Sequence, residues 1–482
     1  MKATSLFGGV QVFNIIISII RSKFIAVLIG PVGMGISGLL TATTGLISNI
    51  TNFGLGISAV RDVASAAEKG NQTRISTVVI VLRRFVWITG ILGTLVTLIL
   101  SSWLSKLTFG NRNYTFAFIW ISITLLLAQL TNGQMVVLQG MRKLKQLAKA
   151  NVFGSALGLI ITIPIYYKWR IEGIVPSIII YSIVSLILSW YFARKFKIEP
   201  VKVTYIRTLA EGKMMLIMGF MISLSNLIAV GASYIVRIYI SKTGGIAQVG
   251  LYNAGFAIIF SYVGLIFAAM ATDYYPRLSS VANDYKLFRQ TINQQAEIAL
   301  LIISPILAVF FVFINWIIIL LYSNKFVGIN EMIHWAALGM FFKAASWAVA
   351  FLFLAKGASK LFFWSELLAN TYQLLFNIIG YKLRGLEGMG ISFFAGYFLY
   401  FLQVLIITKV KYSFKFDISF YRIFIIQFII GIFCFGTVKL LHTPWTFLLG
   451  SFLILISVIY SYAGLNKRIG LNIIIINLVR RK

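Results

Sequence analysis

An all-α, polytopic membrane protein of about fourteen transmembrane helices is the fold class that this sequence predicts, and three observations carry it. Of the 482 residues, 59% are hydrophobic and only 11% charged, with a mean hydropathy of +0.91. Apolar runs of roughly 20 residues, the length that spans a bilayer, recur from end to end. The charges fall in short breaks between those runs, and 43 Lys and Arg stand against 12 Asp and Glu. A soluble chain of this composition would have to expose much of its apolar surface to water. A basic excess dispersed in this way fits positive-inside topology and not nucleic-acid binding.

The apolar segments run near 5–29, 33–59, 77–103, 115–137, 149–167, 174–193, 212–240, 247–275, 292–322, 332–355, 361–381, 388–408, 420–438 and 445–465. The first is read as a membrane helix and not as a cleaved signal, because no small-residue cleavage pattern follows it. With the N-terminus placed in the cytoplasm, 28 Lys and Arg fall on the inner side and nine on the outer. The inner set includes Arg142, Lys143, Lys145 and Lys149, the central Arg194, Lys195, Lys197 and Lys202, and the tail Lys467, Arg468, Arg480, Arg481 and Lys482, with Lys69 in an earlier loop. That asymmetry predicts both termini in the cytoplasm and an even number of crossings. Every outer loop is short, about a dozen residues at most, which leaves no room for an extracytoplasmic enzyme domain.

Residues 1–200 and 201–411 read as two pseudo-symmetric six-helix bundles, with 412–482 adding two helices and a basic cytoplasmic tail. Arg21, deep in the first helix, leads to Gly30-Pro-Val-Gly-Met-Gly35, and Arg237 leads likewise to Gly245-Ile-Ala-Gln-Val-Gly250. Leu138-Gln-Gly140 matches Leu354-Ala-Lys-Gly357 at a nearly equal offset. Duplicated bundles are a usual scaffold for alternating access, with substrate held between them.

Charges inside apolar segments are costly and tend to be functional. Arg21, Lys23, Arg237 and Lys343 are the candidate substrate-cavity residues. Arg83 and Arg84 lie one turn inside their helix, where they can snorkel to the inner face. Glu366, with Gln373 two turns later on the same face, is a candidate coupling or ion-pair residue, as is Asp273. Arg61, Asp62 and Arg277 read as cytoplasmic gate or salt-bridge residues. The polar set Asn132, Gln134, Gln139, Asn226, Asn253, Tyr234, Tyr239 and Tyr252 can either contact sugar hydroxyls or join helices. A cavity with surplus positive charge implies an anionic substrate.

Other features have plainer readings. Gly33-Met-Gly35-Ile-Ser-Gly38 fits the dinucleotide fingerprint in letters only, since no strand precedes it; close helix packing is the better account. One cysteine, Cys434, and two histidines, His334 and His442, provide neither a disulfide framework nor a metal site. No metal or other cofactor is expected.

Several of these segments resemble the O-antigen translocases and lipid III flippases of the multidrug/oligosaccharidyl-lipid/polysaccharide (MOP) exporter superfamily. The residues concerned are Gly30-Pro-Val-Gly-Met-Gly35, Leu321-Tyr-Ser-Asn-Lys325-Phe, Lys343, Leu354-Ala-Lys-Gly-Ala-Ser-Lys360 and Glu366, in the order and spacing of that family. Met340 stands where its members often carry an acid, and the last two helices exceed the twelve of the lipid III flippase. The resemblance implies a flippase of the bacterial inner membrane, with no enzyme activity, that moves undecaprenyl-pyrophosphate-linked oligosaccharide to the periplasmic leaflet by alternating access. It also implies Arg21, Lys23, Arg237, Lys343 and Glu366 as cavity residues. The expected partners are the lipid-linked oligosaccharide, membrane lipid, a proton or sodium ion for coupling and a polysaccharide polymerase complex. The alternatives are a drug/cation antiporter of the same superfamily, which wants acids in its cavity, and more distantly a polysaccharide polymerase or ligase, which wants a large outer loop.

Overall fold

Backbone amides in a bilayer have no water to bond, so a chain this apolar satisfies them inside helices. The computed structural model describes residues 2–68, 71–195, 201–470 and 472. Among these there are helices and no strands. Lys69, Lys197, Arg480, Arg481 and Lys482 of the charge count lie outside the described residues.

The helices are α1 (Lys2–Thr51), α2 (Leu55–Glu68), α3 (Gln72–Ile99), α4 (Ser101–Phe109), α5 (Thr115–Ile121), α6 (Ile123–Gly140), α7 (Leu144–Trp169) and α8 (Ile174–Ala193). They continue with α9 (Tyr205–Gly244), α10 (Ile246–Ala257), α11 (Gly264–Ser280), α12 (Tyr285–Leu321), α13 (Asn330–Ala355), α14 (Ser359–Tyr412), α15 (Ile418–Leu440) and α16 (Trp445–Ile469). A π-helical turn, Ile258–Val263, joins α10 to α11. Among the described residues ten helical spans are long and apolar enough to cross a membrane, eleven if the bent α10–α11 pair counts as one. The fourteen apolar segments do not map one to one onto these spans, because α1 and α14 each join two of them across a break. In α1 the break is Gly30, at φ 65°, followed by Pro31. Proline removes an amide donor and glycine alone takes that backbone without strain. In α14 it is Arg384-Gly385, with Gly385 at φ 56°.

Polar residues start helices where the chain re-enters the apolar layer. Asn71 accepts from the Arg74 amide at 3.0 Å, Thr204 from that of Arg207 at 3.3 Å and Asp284 from that of Leu287 at 3.0 Å, each satisfying a donor that the first turn leaves open. Large apolar side chains cover the outside, among them Leu320, 73% exposed, and Leu383, 75% exposed. Acyl chains, not water, suit such a surface.

The described residues divide into two compact units, one within 1–253 plus Leu321–Lys325, the other within 254–320 plus 326–482. In the first, Leu55, Ala59 and Val63 of α2, Val78 and Leu82 of α3, and Val137 of α6 form a buried core that Met215 of α9 joins. Helix α9, which the sequence reading places after its divide at residue 200, therefore packs with the helices before it. Three polar ties hold its start. Arg74 pairs with Glu211 at 2.6 Å, and Arg84 donates to the Val203 carbonyl at 3.0 Å and to Thr208 Oγ1 at 2.5 Å. The glycine-rich turn after α1's break packs on α10: a side chain at Gly250 would overlap the Pro31 carbonyl, and one at Gly35 the Ile246 carbonyl.

In the second unit, α15 and α16 pack together through Gln427, which donates to Ser461 Oγ at 2.8 Å and accepts from Ser457 at 2.7 Å. They are tied to α12 by ion pairs between Arg468 and Glu297 at 2.5 Å and between Arg289 and Asp417 at 2.6 Å. Phe342 of α13 meets Phe394, Phe398 and Phe401 of α14 and Phe424 and Phe428 of α15. The break in α14 folds it back on itself so closely that a side chain on Gly380 or Gly388 would strike the other's carbonyl.

Candidate functional site

Glu366, Asn370 and Gln373 stand at i, i+4 and i+7 on the first half of α14, which puts all three on one face. Tyr397 and Tyr400, three apart, come from its second half, and Lys343 comes from α13. Together they line a cavity of about 330 Å³, within the size range of roughly 300–1,000 Å³ for small-molecule sites. Two sequence-predicted residues, Lys343 and Glu366, are thereby brought into one site, and Gln373 faces it as its spacing predicts.

The two charges are held differently. Glu366 Oε1 accepts the Tyr400 hydroxyl at 2.5 Å, while its backbone carbonyl accepts from Asn370 at 2.8 Å. The Lys343 ammonium lies 4.2 Å from the ring centre of Phe260, 5.2 Å from Tyr397 and 5.9 Å from both Phe267 and Phe393. Among the described residues neither Lys343 nor Glu366 belongs to an ion pair. Aromatic faces stabilise a cation by about 0.5–2 kcal/mol, which offsets part of the cost of placing it here without an anion. The Tyr372 hydroxyl is buried with no hydrogen-bond partner. A cationic amine, phenols and amides around one space can together receive an anionic group and hydroxyl-bearing neighbours. Glu366, lacking a basic partner, can hold a proton or a small cation.

Arg21 lies in the first unit, where its guanidinium stacks 4.3 Å from the ring centre of Tyr181 on α8. Gly158 of α7 makes room, since a side chain there would strike the Tyr181 ring. Arg21 Nε and Nη2 are shut away with no hydrogen-bond partner, an arrangement that costs free energy unless a ligand completes it. Lys23 is half-buried two residues on. Arg237 has quite different surroundings. Its Nε donates to Asn253 Oδ1 at 2.9 Å, its Nη1 to the Ser233 carbonyl at 3.0 Å and also to the Ser233 hydroxyl, and Tyr252 lies under it at 5.7 Å. Asn253 in turn is wedged against Gly38, so the fingerprint-like glycines serve packing.

The polar residues weighed as sugar contacts are partly engaged in joining helices. Tyr234 is hydrogen-bonded to Thr108 at 2.7 Å and accepts from Thr43 at 3.2 Å, and Asn226 donates to Asn49 at 3.2 Å. The residues read as a gate make local contacts: Arg61 pairs with its neighbour Asp62 at 3.2 Å. Arg277 pairs with Asp273 one turn away at 3.9 Å and donates to Gln295 at 2.9 Å.

Sequence reasoning missed Tyr181, Phe260, Tyr372, Tyr397 and Tyr400. Only the three-residue spacing of Tyr397 and Tyr400 could have hinted at a shared face, and nothing in the chain says that this face meets Glu366. Arg84, read as snorkelling, instead ties down residues 201–208.

Known structures share this architecture. A lipid II flippase, MurJ, in an inward closed conformation superposes with a TM-score of 0.72 at 13% identity, over 96% of this chain and 99% of that one. A multidrug resistance MATE family transporter of the MOP superfamily, in an inward-facing conformation, gives 0.65 at 14% identity over 85% of this chain and 94% of that one. A MOP superfamily transporter from Pyrococcus furiosus, described by the reverse polarity of its binding pocket, gives 0.57 at 16% identity over 85% and 96%. At these identities the likeness is one of fold. No curated protein matches the sequence. Residues 24–331 match the family described as "Polysaccharide biosynthesis protein", well over half of the chain, and the protein accordingly belongs to the polysaccharide biosynthesis protein family.

Proposed function

We propose that the protein is a flippase that carries undecaprenyl-pyrophosphate-linked oligosaccharide from the cytoplasmic to the periplasmic leaflet of a bacterial inner membrane. The observation that carries this reading is the unpaired Lys343 ammonium in a cavity walled by phenols and amides. A pyrophosphate supplies the missing anion, and sugar hydroxyls suit Asn370, Gln373 and the tyrosines. Arg21, with two unpartnered nitrogens, is a second anion contact, and Lys23 and Arg237 are further cationic contacts for the substrate. Family membership supports a part in polysaccharide assembly, and the shared fold of flippases and transporters supports alternating access between two bundles. Dividing α1 and α14 at their breaks, and counting α9 and the bent α10–α11 pair, makes fourteen crossings with both termini in the cytoplasm. Glu366 is the coupling residue, for a proton or sodium; Asp273, Arg61, Asp62 and Arg277 act at the cytoplasmic mouth; a polymerase receives the product.

The carboxylate without a basic partner favours a second reading, a cation antiporter, in which Glu366 binds the cargo or its counter-ion. Reconstitution separates the two. Labelled pyrophosphate-linked oligosaccharide lipid is placed in proteoliposomes, and sugar accessibility to an added enzyme is scored under proton and sodium gradients. Leaflet exchange that depends on Lys343 and Arg21 supports the flippase. A lipid that stays in place while a cationic dye is exported supports the antiporter.

A further inference from the structure

A second cavity, of about 620 Å³, lies in the second unit where the end of α11, the start of α12, the start of α15 and the end of α16 converge. Arg277, Arg422, Lys467 and Arg468 line it against a single acid, Glu297. Arg468 already neutralises Glu297 at 2.5 Å and is anchored further on Ser419 Oγ at 2.9 Å. Arg277 is engaged with Asp273 and Gln295. Arg422 and Lys467 have neither a hydrogen bond nor an ion pair among the described residues, so the cleft keeps positive charge that no described acid answers. Below the charges its wall turns apolar at Leu301 and Ile423, with Tyr460 beside them.

In the topology that the charge asymmetry predicts, these helix ends lie on the side that carries the basic excess, the side of Lys286, Arg289 and Lys415. One turn from Arg422, Ile425 is exposed, and so is Ile459 beside Tyr460. Unanswered cations therefore border directly on lipid-facing apolar surface. We infer that the cleft binds an anionic phospholipid of the surrounding leaflet. Its phosphate lies between Arg422 and Lys467, Arg468 is held in reserve by Glu297, and its acyl chains run along Ile425 and Ile459. A soluble phosphate would use the cations but not the adjoining apolar face; a lipid uses both. Basic pockets between helix ends on this side of a bilayer are suited to such headgroups.

The test uses the full-length protein, purified in a neutral detergent and titrated with phosphatidylglycerol, a two-phosphate cardiolipin or phosphatidylcholine, with bound lipid read by native mass spectrometry. The wild type should hold the anionic lipids and not phosphatidylcholine. Arg422→Gln with Lys467→Gln should weaken that binding roughly tenfold to thirtyfold, and each single change should account for about half of the loss on a logarithmic scale. Lys409→Gln with Lys411→Gln removes equal charge from the same side and should leave binding within twofold. Equal losses in the two double variants would mean diffuse surface attraction and overturn the site. Equal retention of phosphatidylcholine would do the same. Displacement of the lipid by millimolar inorganic phosphate, with the same thermal stabilisation from phosphate alone, would assign the cleft to a soluble anion and overturn the lipid.

Discussion

Replacing Lys343 with methionine keeps the unbranched apolar stem of the side chain, one atom shorter, and removes its charge. In the free protein the ammonium's partners are four aromatic rings, the closest at 4.2 Å, and such contacts are worth about 0.5–2 kcal/mol. That gain offsets only part of the several kcal/mol that holding a charge away from water with no anion costs, so the free protein gives up little by losing it. Folding stability should therefore stay within about 1 kcal/mol of wild type or rise, read as the melting temperature in detergent. Transport should behave otherwise. A hydrogen bond to a charged phosphate contributes about 1.5–3 kcal/mol, which is about a tenfold to 150-fold loss in translocation efficiency at subsaturating substrate. The pairing of unchanged stability with lost transport is the signature of a ligand contact. A Lys343→Met protein that melts far below wild type would show the ammonium to be structural. One that flips lipid at the wild-type rate would remove Lys343 from the substrate path.

Three other outcomes follow from single contacts. Tyr400→Phe removes the 2.5 Å hydrogen bond to Glu366 and should cost about 1–3 kcal/mol of stability, while changing how transport responds to an imposed ion gradient; an unaltered response would detach Glu366 from coupling. Gly250→Ala places a methyl on the Pro31 carbonyl and should cost about 1–3 kcal/mol by overpacking, whereas Gly231→Ala, in open space within α9, should be neutral or stabilise by up to about 1 kcal/mol. Thermal melts of the pair check both signs. Arg84→Gln loses the ties to Val203 and Thr208, so limited proteolysis around residues 201–208 should speed up several-fold against wild type.

The legible part of the site was the part written along one helix. Glu366 and Gln373 are seven residues apart in one apolar segment, and helical geometry alone puts them on one face. Lys343 stood out because an ammonium in an apolar run needs a reason. Its surroundings were not legible, because Phe260, Phe267, Phe393 and Tyr397 reach it from separate segments, and any apolar helix offers many such rings. Arg21 and Arg237 look equivalent in the chain, each leading to a glycine-rich turn. Packing separates them, since Asn253 and Ser233 engage Arg237 through hydrogen bonds while Arg21 stacks on Tyr181 with Nε and Nη2 left without a hydrogen bond.

Membrane class, the positions of the apolar segments, the glycine-rich turn from Gly30 and an interruption between 381 and 388 follow from the sequence by itself, because hydropathy, helical period and the conformations open to glycine and proline are local properties. Tertiary structure decided that α9 packs with the helices before it, that α15 and α16 are tied to α12 through Arg468–Glu297 and Arg289–Asp417, and which buried charges found partners. Those outcomes depend on close approach between residues tens to hundreds of positions apart, where shape and a few polar contacts select one neighbour among many equally apolar ones.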